Sequence, residues 1–354
     1  MREAPDALAA TGGDGRSRLI ARFLADAGWP GVEPRPLAGD ASFRRYSRIG
    51  HNGRRAILMD APPGREDVRP FVRVARHLHA LGLSAPAILA ADENLGLLLL
   101  EDFGDDTFTR LLAAGTDEDA LYRMAVDVLV YLHRLPAEDT LACALPGYDL
   151  RRLLDEALLL TDWYLPAVFE RPTGEATRAA CAAAWTEVLE PLTRTPPTLV
   201  LRDFHVDNLM RLPGRTGLAA CGLLDFQDAV AGPAAYDLLS LLEDARRDVP
   251  EAIRAAMLAR YREGMGERLD AAGWDNFRRG FAILAAQRHA KVIGIFTRLS
   301  RRDGKPIYLR HIPRVWRMLE DALRHPALAP VAAWFERTVP PADRFAPPHP
   351  GACP

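Results

Sequence analysis

An aspartate and an asparagine five residues apart, followed by another aspartate, are the polar residues of this chain whose spacing suits chemistry. Asp203 and Asn208 stand in R-D-F-H-V-D-N (202–208), and Asp225 follows 17 residues after Asn208. One carboxylate can accept a proton from a hydroxyl group, while a second carboxylate and an amide can hold Mg²⁺ against nucleotide phosphates. The three residues therefore predict phosphoryl transfer, with Asp203 as the catalytic residue and Asn208 and Asp225 as metal ligands.

Two short motifs in a fixed order make this prediction specific. The step from Asp203 to Asn208 has the D-x-x-x-x-N spacing of a kinase catalytic loop, and Asp225-Phe226-Gln227 occupies the place of the metal-binding D-F-G. Either motif alone occurs often by chance. Together, in this order and behind a strand-rich region, they indicate a kinase.

Short apolar runs precede both motifs and predict the strands that position them. One run, 198–201, ends at the catalytic loop, and the other, 221–224, ends at Asp225. A hairpin whose strands are separated by 211–219 would bring Asp225 beside the catalytic loop.

The spacing of apolar residues changes along the chain and predicts two structural regions. In the first region, short apolar runs bounded by Gly, Asp and Pro predict strands, and one segment with apolar residues three to four apart predicts a helix. From about residue 117 onward, helical spacing dominates. The fold class is therefore expected to be α+β, with a small antiparallel-sheet lobe that carries one main helix and a larger, mostly helical lobe. The predicted strands are 42–49, 55–60, 85–90 and 96–102, and the predicted helices are 18–28, 69–82, 120–135, 150–163 and 176–189, with more helices after Pro250.

Four segments of the chain are expected to differ in role. We expect residues 1–15 to be a disordered N-terminus, 16–102 to form the N-lobe and 103–339 to form the helical C-lobe with the catalytic and metal-binding loops and the substrate site. Residues 340–354 are a Pro-rich tail that cannot maintain a long helix. Neither end is expected to carry chemistry.

Composition and charge favour a soluble protein whose partners are small molecules. The chain has 354 residues, 49% hydrophobic and 26% charged, and a net charge of −2 without a basic block, which argues against a nucleic-acid partner. It has no apolar leader and no run of about 18 apolar residues, so export and membrane insertion are not expected. The four cysteines are scattered and lack C-x-x-C spacing, which argues against disulfides and zinc. We expect a cytoplasmic monomer.

The catalytic stretch resembles that of the aminoglycoside phosphotransferase and choline kinase branch of the protein-kinase-like fold. The usual stretch there is H-G-D-x-H-x-x-N, which Asp203, His205 and Asn208 match. The chain is more closely similar to bacterial kinases that phosphorylate N-acetylmuramate and N-acetylglucosamine at the anomeric hydroxyl group. The segments that carry this closer resemblance are G-D-A-S-F-R-R-Y (39–46), L-M-D-A-P-P (58–63), L-L-L-E-D-F-G-D (98–105) and the basic stretch 291–314.

The resemblance implies a two-lobed kinase-like fold, ATP and Mg²⁺ as cofactors, and roles for particular residues. Asp203 would be the base or the orienting group for the sugar hydroxyl, and Asn208 and Asp225 would bind Mg²⁺. The segment from Gly39 to Tyr46 would cover the ATP phosphates. The residues implied for ATP binding are Gly39, Ser42, Arg44, Arg45, Glu101 and Phe103, the last two through backbone groups at the adenine, and those implied for substrate binding are His205, Asp228, Arg288 and Lys291.

The chain departs from the family pattern at the phosphate-binding lysine. Met59 stands where kinases of this fold carry that lysine, and no lysine precedes Lys291. The predicted helix 69–82 also lacks the glutamate that would pair with it. Arg44 or Arg45 is the candidate replacement, because successive strand residues face opposite sides; the alternative is that both are solvated strand arginines.

Other residues have two readings that the sequence leaves open. Leu201 and Arg202 replace the usual His and Gly of the catalytic stretch, and Leu201 is expected to pack in the core. His205 is either a substrate contact or a loop brace, and Asp237 is either a helix cap or a brace for the catalytic loop. Asp207 is expected to be a solvated carboxylate rather than a third metal ligand.

Three functions are compatible with these motifs. The first is an ATP-dependent kinase for the anomeric hydroxyl of N-acetylmuramate or N-acetylglucosamine, as used in recycling cell-wall sugars. The second is a kinase for another small alcohol, such as an aminoglycoside, choline or a homoserine-like compound. The third is a pseudokinase that binds nucleotide, which Met59 favours and the intact set of Asp203, Asn208 and Asp225 opposes.

Overall fold

The computed structural model describes residues 13–37 and 43–349. Its first part contains an antiparallel sheet of five strands in the order β1-β2-β3-β5-β4, together with two helices. The bounds are α1 Gly13–Asp26, β1 Arg35–Pro36, β2 Arg45–His51, β3 Arg54–Asp60, α2 Arg69–Ala80, β4 Ile88–Asp92 and β5 Leu97–Glu101.

The two faces of this sheet are buried against different helices. Because successive residues of a strand point to opposite faces, β3 contributes Leu58 to a cluster with Phe23 of α1 and contributes Met59 to a cluster with Phe71 of α2. Met59 is fully buried. Tyr46 of β2 lies opposite Met59 and therefore shares the face that carries α2.

Helices form most of the remaining chain, with two short strand pairs among them. The helices are α3 Phe108–Ala113, α4 Glu118–Arg134, α5 Ala137–Thr140, α6 Leu150–Ala157, α7 Leu165–Phe169, α8 Glu175–Leu189, α9 Ala235–Leu242, α10 Glu251–Met265, α11 Ala271–Arg301, α12 Ile312–Leu323 and α13 Ala329–Thr338. The strands are β6 Thr198–Val200, β7 Leu209–Arg211, β8 Cys221–Leu223 and β9 Val230–Gly232. A π-helical turn, Leu160–Tyr164, joins α6 to α7.

The long helix α11 is the centre of the helical part. Its side chains from Ile283 to Leu299 contribute to the largest hydrophobic cluster, which also contains residues of α6, α8, α12 and α13. Gly294 allows a close approach, since a Cβ atom there would lie 2.3 Å from the carbonyl carbon of Leu159, just before the π-helical turn.

The structure confirms the predicted fold class: an antiparallel sheet with one main helix on the site-facing side, followed by a mostly helical region. Several boundaries differ. The first helix begins at Gly13, so residues 13–15 are helical, contrary to the expected disorder of 1–15. The predicted helix 150–163 leaves α-geometry after Ala157, and the strand predicted at 85–90 lies at Ile88–Asp92.

The predicted hairpin around 211–219 is present, but the strand before the catalytic loop is not part of it. The hairpin partner of β8 is β7, which follows the catalytic loop, whereas β6, which precedes the loop, pairs with β9. The loop is consequently held between two separate strand pairs.

The C-terminal segment is ordered as far as it is described. Pro341–Asp343 form a 3₁₀ turn, and the Tyr164 hydroxyl donates to the carbonyl oxygen of Asp343 at 2.7 Å. Residues 1–12 and 350–354 of the two predicted end segments lie outside the described residues. Within the described part of the chain, no helix combines the length and apolarity needed to cross a membrane, and Cys143, Cys181 and Cys221 are free thiols.

Candidate active site

The backbone of the catalytic loop is fixed by a buried aspartate. Asp237, in the first turn of α9, accepts hydrogen bonds from the backbone N–H groups of Leu201 at 2.6 Å and Arg202 at 2.8 Å. Burial raises the pKa of Asp237 to about 7, although both N–H donors act in the opposite direction. The structure thus confirms the reading of Asp237 as a brace for the loop, and Leu201 packs in the core as predicted.

Arg202 adopts a left-handed backbone conformation that favours glycine. Its φ of 70° is unusual for a residue with a side chain, and such conformations cost on the order of 1–3 kcal/mol. Its guanidinium group forms an ion pair with Glu156 and donates to the carbonyl oxygen of Asp228 at 3.4 Å. The side chain therefore ties the loop to α6 and to the segment after Asp225.

Asp203 follows Arg202 and presents a partly exposed carboxylate. No side chain in the described ranges donates a hydrogen bond to this carboxylate. Burial alone would raise the pKa of Asp203, but Lys291, His205 and nearby arginines outweigh it and lower the pKa below its usual value. The group is therefore ionised at neutral pH and can accept a proton or a hydrogen bond.

Asn208 and Asp225 lie at the ends of the β7–β8 pair, beside Asp203. The Asn208 side-chain amide donates from Nδ2 to the carbonyl oxygen of Asp203 at 2.9 Å, and the N–H of Leu224 donates to the carbonyl oxygen of Asn208 at 2.9 Å. Because Nδ2 is used in this bond, Oδ1 of Asn208 is the atom that remains for a ligand. The three residues that the sequence predicted to meet are brought together.

The donor set at Asp225 fits a hard cation. Burial raises the pKa of Asp225, and the charge of Asp203 raises it further. A bound cation would stabilise the ionised form of Asp225 and reduce its repulsion by Asp203. Among the described residues, no three His, Cys, Asp or Glu side chains form a metal cluster. One carboxylate and one amide match Mg²⁺ ions that take most of their oxygen ligands from phosphates and water.

Glu156 organises a cluster of polar side chains next to the catalytic loop, which the sequence analysis missed. Its carboxylate contacts Lys291 Nζ at 3.0 Å and accepts a hydrogen bond from the Tyr148 hydroxyl at 2.5 Å, in addition to its ion pair with Arg202. Lys291 also donates to the Tyr236 hydroxyl at 3.3 Å. No sequence signal marks Glu156, since its cationic partners lie far from it along the chain.

The remaining predicted substrate residues differ in position. The side chain of His205, within the catalytic loop, is buried, and burial lowers its pKa. Its Nε2 lies 3.4 Å from both Asn208 Nδ2 and Arg246 Nη1. Arg288 is 5% exposed and donates to the Ser240 hydroxyl at 2.8 Å. Asp228 is exposed next to the site.

Asp207, which was expected to be a solvated carboxylate, has side-chain partners in the structure. The Thr109 hydroxyl donates to its carboxylate, and Arg246 Nε lies 3.7 Å away. These contacts connect the catalytic loop to the start of α3.

The two candidate arginines of the N-lobe lie on opposite faces. Arg44 precedes β2 in alternation with Tyr46, and its Nη2 lies 3.8 Å from Asp225 Oδ1. Arg45 is exposed and lies opposite Asp60, on the face turned away from Asp225. Gly39 and Ser42, the other predicted phosphate contacts, lie outside the described residues.

The connection between the lobes is held by side chains. The backbone N–H of Glu101 donates to the carbonyl oxygen of Ala87 at 2.8 Å, so this N–H group is already used inside the N-lobe. The Glu101 carboxylate pairs with Arg215, whose guanidinium lies 5.3 Å from the centre of the Phe103 ring. The Glu101 carbonyl and the backbone at Phe103 remain as candidate groups.

Comparison with known proteins gives consistent results. Residues 33–275 match the model of a phosphotransferase enzyme family. A protein named N-acetylmuramate/N-acetylglucosamine kinase from Caulobacter vibrioides is 38% identical, with 92% of this chain and 97% of that protein covered. One of the same name from Pseudomonas aeruginosa is 39% identical, with 87% and 89% covered.

The fold is similar to that of solved kinases of small molecules. The GDP complex of an aminoglycoside 2'-phosphotransferase superposes with a TM-score of 0.57 at 17% identity and covers 87% of this chain and 98% of that one. This likeness confirms the predicted kinase-like fold.

Proposed function

The chain belongs to the phosphotransferase enzyme family, and from this premise we propose that it is an ATP-dependent kinase for N-acetylmuramate, N-acetylglucosamine or both, acting at the anomeric hydroxyl group. One observation carries the proposal: the ionised carboxylate of Asp203 lies beside Asn208 and Asp225, in a chain similar over most of its length to kinases named for these two sugars.

Asp203 has the properties required of the group that activates the sugar hydroxyl. The hydroxyl would donate its hydrogen bond to the free carboxylate, and the proton would pass to Asp203 as the sugar oxygen bonds to the γ-phosphorus. The bond between the γ-phosphorus and the β-γ bridging oxygen breaks, and ADP leaves with the electron pair. Asp237 contributes indirectly, because it fixes the backbone that holds Asp203 in place.

Asn208 Oδ1 and the Asp225 carboxylate are the groups that would hold Mg²⁺ together with phosphate oxygens. The ion would neutralise negative charge on the β- and γ-phosphates. Asn208 is oriented for this role by its hydrogen bond to the Asp203 backbone, and Asp225 by the amide of Gln227, which donates to Asp225 Oδ1 at 2.7 Å.

Arg44 is the cation that we assign to the phosphates in place of the missing lysine. Its guanidinium reaches the end of the cleft at Asp225, whereas Arg45 faces away. The backbone around Phe103 would contact the adenine. In the sequence the two arginines are adjacent and cannot be distinguished. The faces of the strand distinguish them.

The sugar would lie against the polar cluster around Glu156. Lys291 is the cation of this cluster with the strongest effect on the proposed catalytic residue. Of the charges near Asp203, it contributes most to lowering the pKa of that carboxyl group. Asp228 lies exposed nearby, whereas the burial of His205 and Arg288 favours a role in shaping the site. We propose that the protein acts as a monomer in the cytoplasm.

A coupled ADP-release assay tests the proposed function. Purified protein is incubated with ATP and Mg²⁺ and with N-acetylmuramate, N-acetylglucosamine, kanamycin or choline in turn, and products are examined by phosphorus NMR. We expect ADP release with the two sugars and a product signal from a phosphate on the anomeric oxygen. Phosphorylated kanamycin or choline would contradict the proposal, and nucleotide binding without turnover on any acceptor would indicate a pseudokinase.

A further inference from the structure

The arginine assigned to the phosphates lies between two acidic side chains. Arg44 Nε is 4.0 Å from Glu66 Oε2, and Arg44 Nη2 is 3.8 Å from Asp225 Oδ1. The side chain of Arg44 is 12% exposed and that of Glu66 is 23% exposed. The guanidinium therefore contacts one carboxylate of the N-lobe through Nε and one proposed metal-binding carboxylate through Nη2, and its Nη1 takes part in neither contact.

Glu66 belongs to the segment that leads into α2. It lies three residues before Arg69, where α2 begins, and its backbone N–H donates to the carbonyl oxygen of Pro62 at 3.4 Å. Its carboxylate also accepts a hydrogen bond from the backbone N–H of Phe43 at 3.3 Å. Glu66 thus connects the entry of α2 to the residues just before β2.

The usual ion pair of kinases cannot form in this chain. It joins a lysine on the third strand to a glutamate on the following helix and holds the lysine at the α- and β-phosphates. Here Met59 is fully buried in β3, and α2 carries no acidic residue along its length from Arg69 to Ala80.

We propose that Arg44 and Glu66 replace this ion pair, with both charges moved from β3 and α2 to the residues that precede β2 and α2. The inference rests on the proposed use of ATP. Arg44 supplies the cation, and Glu66 is a positioning residue that acts through Arg44. A planar guanidinium suits this arrangement, because it can contact a carboxylate along one edge while the other edge donates to phosphate oxygens.

Holding Arg44 in advance reduces the entropy lost when ATP binds. A free arginine side chain has several rotatable bonds, and fixing them costs free energy at the moment of binding. A carboxylate at one edge of the guanidinium restricts those bonds before the nucleotide arrives. Removal of the Glu66 charge is therefore expected to weaken nucleotide binding only while Arg44 is present.

A double-mutant cycle tests this dependence. ATP affinity is measured by isothermal titration calorimetry without sugar for Arg44→Ala, Glu66→Gln and the double variant, alongside steady-state kinetics. Hydrogen bonds to charged groups predict a loss of about 10- to 100-fold for Arg44→Ala. Glu66→Gln is expected to lose about 3- to 10-fold, within the range for coupled neighbours. In the Arg44→Ala background, Glu66→Gln should have no further effect, and the KM for the sugar should stay unchanged throughout.

The chain offers matched controls for both residues. Arg45→Ala removes the adjacent arginine on the opposite face, and Asp67→Asn removes the adjacent carboxylate, which is 51% exposed and paired with Arg69. Both controls should bind ATP like the original protein. Arg44→Lys, which keeps the charge but not the planar fork, should lie between Arg44→Ala and the original and remains informative if Arg44→Ala fails to fold.

Two outcomes would overturn the inference. One is a Glu66→Gln effect that is equally large with and without Arg44, because Glu66 would then act independently of it. The other is unchanged ATP affinity in Arg44→Ala. Failure of the proposed function would look different: the original protein would bind ATP but phosphorylate neither sugar, while the comparison of ATP affinities would still be valid.

Discussion

Asp203 differs from Asp207, the other acidic residue of its loop, in what surrounds its carboxylate. Asp207 is held by Thr109 and Arg246, whereas the Asp203 carboxylate receives no hydrogen bond from the described side chains. Burial would raise the pKa of Asp203, and the charge of Lys291 is the largest of the influences that lower it. The difference follows from geometry, since both residues have the same type and lie four positions apart. Only Asp203 is free to bind a hydroxyl group.

Replacing Asp203 by asparagine should abolish most turnover and leave nucleotide binding intact. The amide has nearly the same shape but cannot accept a proton, and general-base catalysis typically contributes about 10²- to 10⁴-fold. The backbone carbonyl of residue 203, which receives the Asn208 amide, is retained. We expect kcat to fall by that factor in the ADP-release assay, with the ATP dissociation constant unchanged by calorimetry.

Asp207→Asn is the matched control for this substitution. It removes a carboxylate from the same loop without touching the proposed base, so kcat should remain within about tenfold of the original. Full activity of Asp203→Asn would show that another group activates the hydroxyl.

Whether a site residue can be predicted from the sequence depends on how far its partners lie from it along the chain. Asp203, Asn208 and Asp225 were predictable because their spacing along two neighbouring loops encodes their proximity. Glu66 and Glu156 were not, because their partners are distant in sequence and meet only through the packing of whole elements. Arg44 and Arg45 could be separated only when the faces of β2 were known.

At the scale of elements, the main helices and strands followed from apolar spacing, but the irregular segment after α6 did not. The predicted helix 150–163 has continuous helical spacing, and nothing in that pattern marks the π-helical turn at Leu160–Tyr164. The packing of α11 explains the difficulty: Gly294 lies against the backbone of Leu159, directly before the turn. The local geometry is therefore tied to a contact between helices that are distant in sequence.

Gly294→Ala should destabilise this contact strongly. The added Cβ would lie 2.3 Å from the carbonyl carbon and 2.4 Å from the carbonyl oxygen of Leu159. A backbone cannot move aside as a flexible side chain can, and overpacking of this kind costs about 1–3 kcal/mol or more. We expect the free energy of unfolding in urea to fall by that amount.

Gly280→Ala provides the comparison within the same helix. Its nearest neighbour would be a methyl carbon of Leu192 at 3.6 Å, an ordinary contact. Alanine is the better helix former by about 1 kcal/mol, so this variant should be as stable as the original or slightly more stable. Equal effects of the two substitutions would refute the close approach at Gly294.

At the scale of the whole molecule, the two lobes share one continuous hydrophobic cluster. It contains Met59 and Phe71 from the N-lobe and Phe204 and Leu129 from the helical region. Phe226, next to Asp225, stacks on Phe71 of α2 with the ring centres 4.9 Å apart. The spacing of apolar residues predicted two lobes, but it could not reveal that the core continues between them, because that depends on which faces meet.

A buried histidine at this shared core contributes to the pH dependence of stability. His133 of α4 is 9% exposed, and its Nδ1 lies 2.7 Å from the hydroxyl oxygen of Tyr261 in α10. Burial lowers the pKa of His133 from 6.5 to about 4. Between these two values the unfolded chain binds a proton at this histidine that the folded protein does not bind, so the contribution of His133 to stability is retained above pH 6.5 and is lost as the pH falls toward 4.

The size of this effect can be measured by urea unfolding at pH 7.5 and pH 5. For a histidine with these two pKa values, linkage gives a loss of about 2 kcal/mol at pH 5 relative to pH 7.5. His133→Asn keeps a polar group near the Tyr261 hydroxyl but cannot titrate. The difference in its free energy of unfolding between pH 7.5 and pH 5 should therefore be about 2 kcal/mol smaller than in the original protein, even if the variant is less stable at both pH values. The exposed His79→Asn serves as the control and should retain the original pH dependence. An unchanged difference in His133→Asn would mean that other groups cause the acid sensitivity and that His133 is protonated in the folded protein as readily as in the unfolded chain.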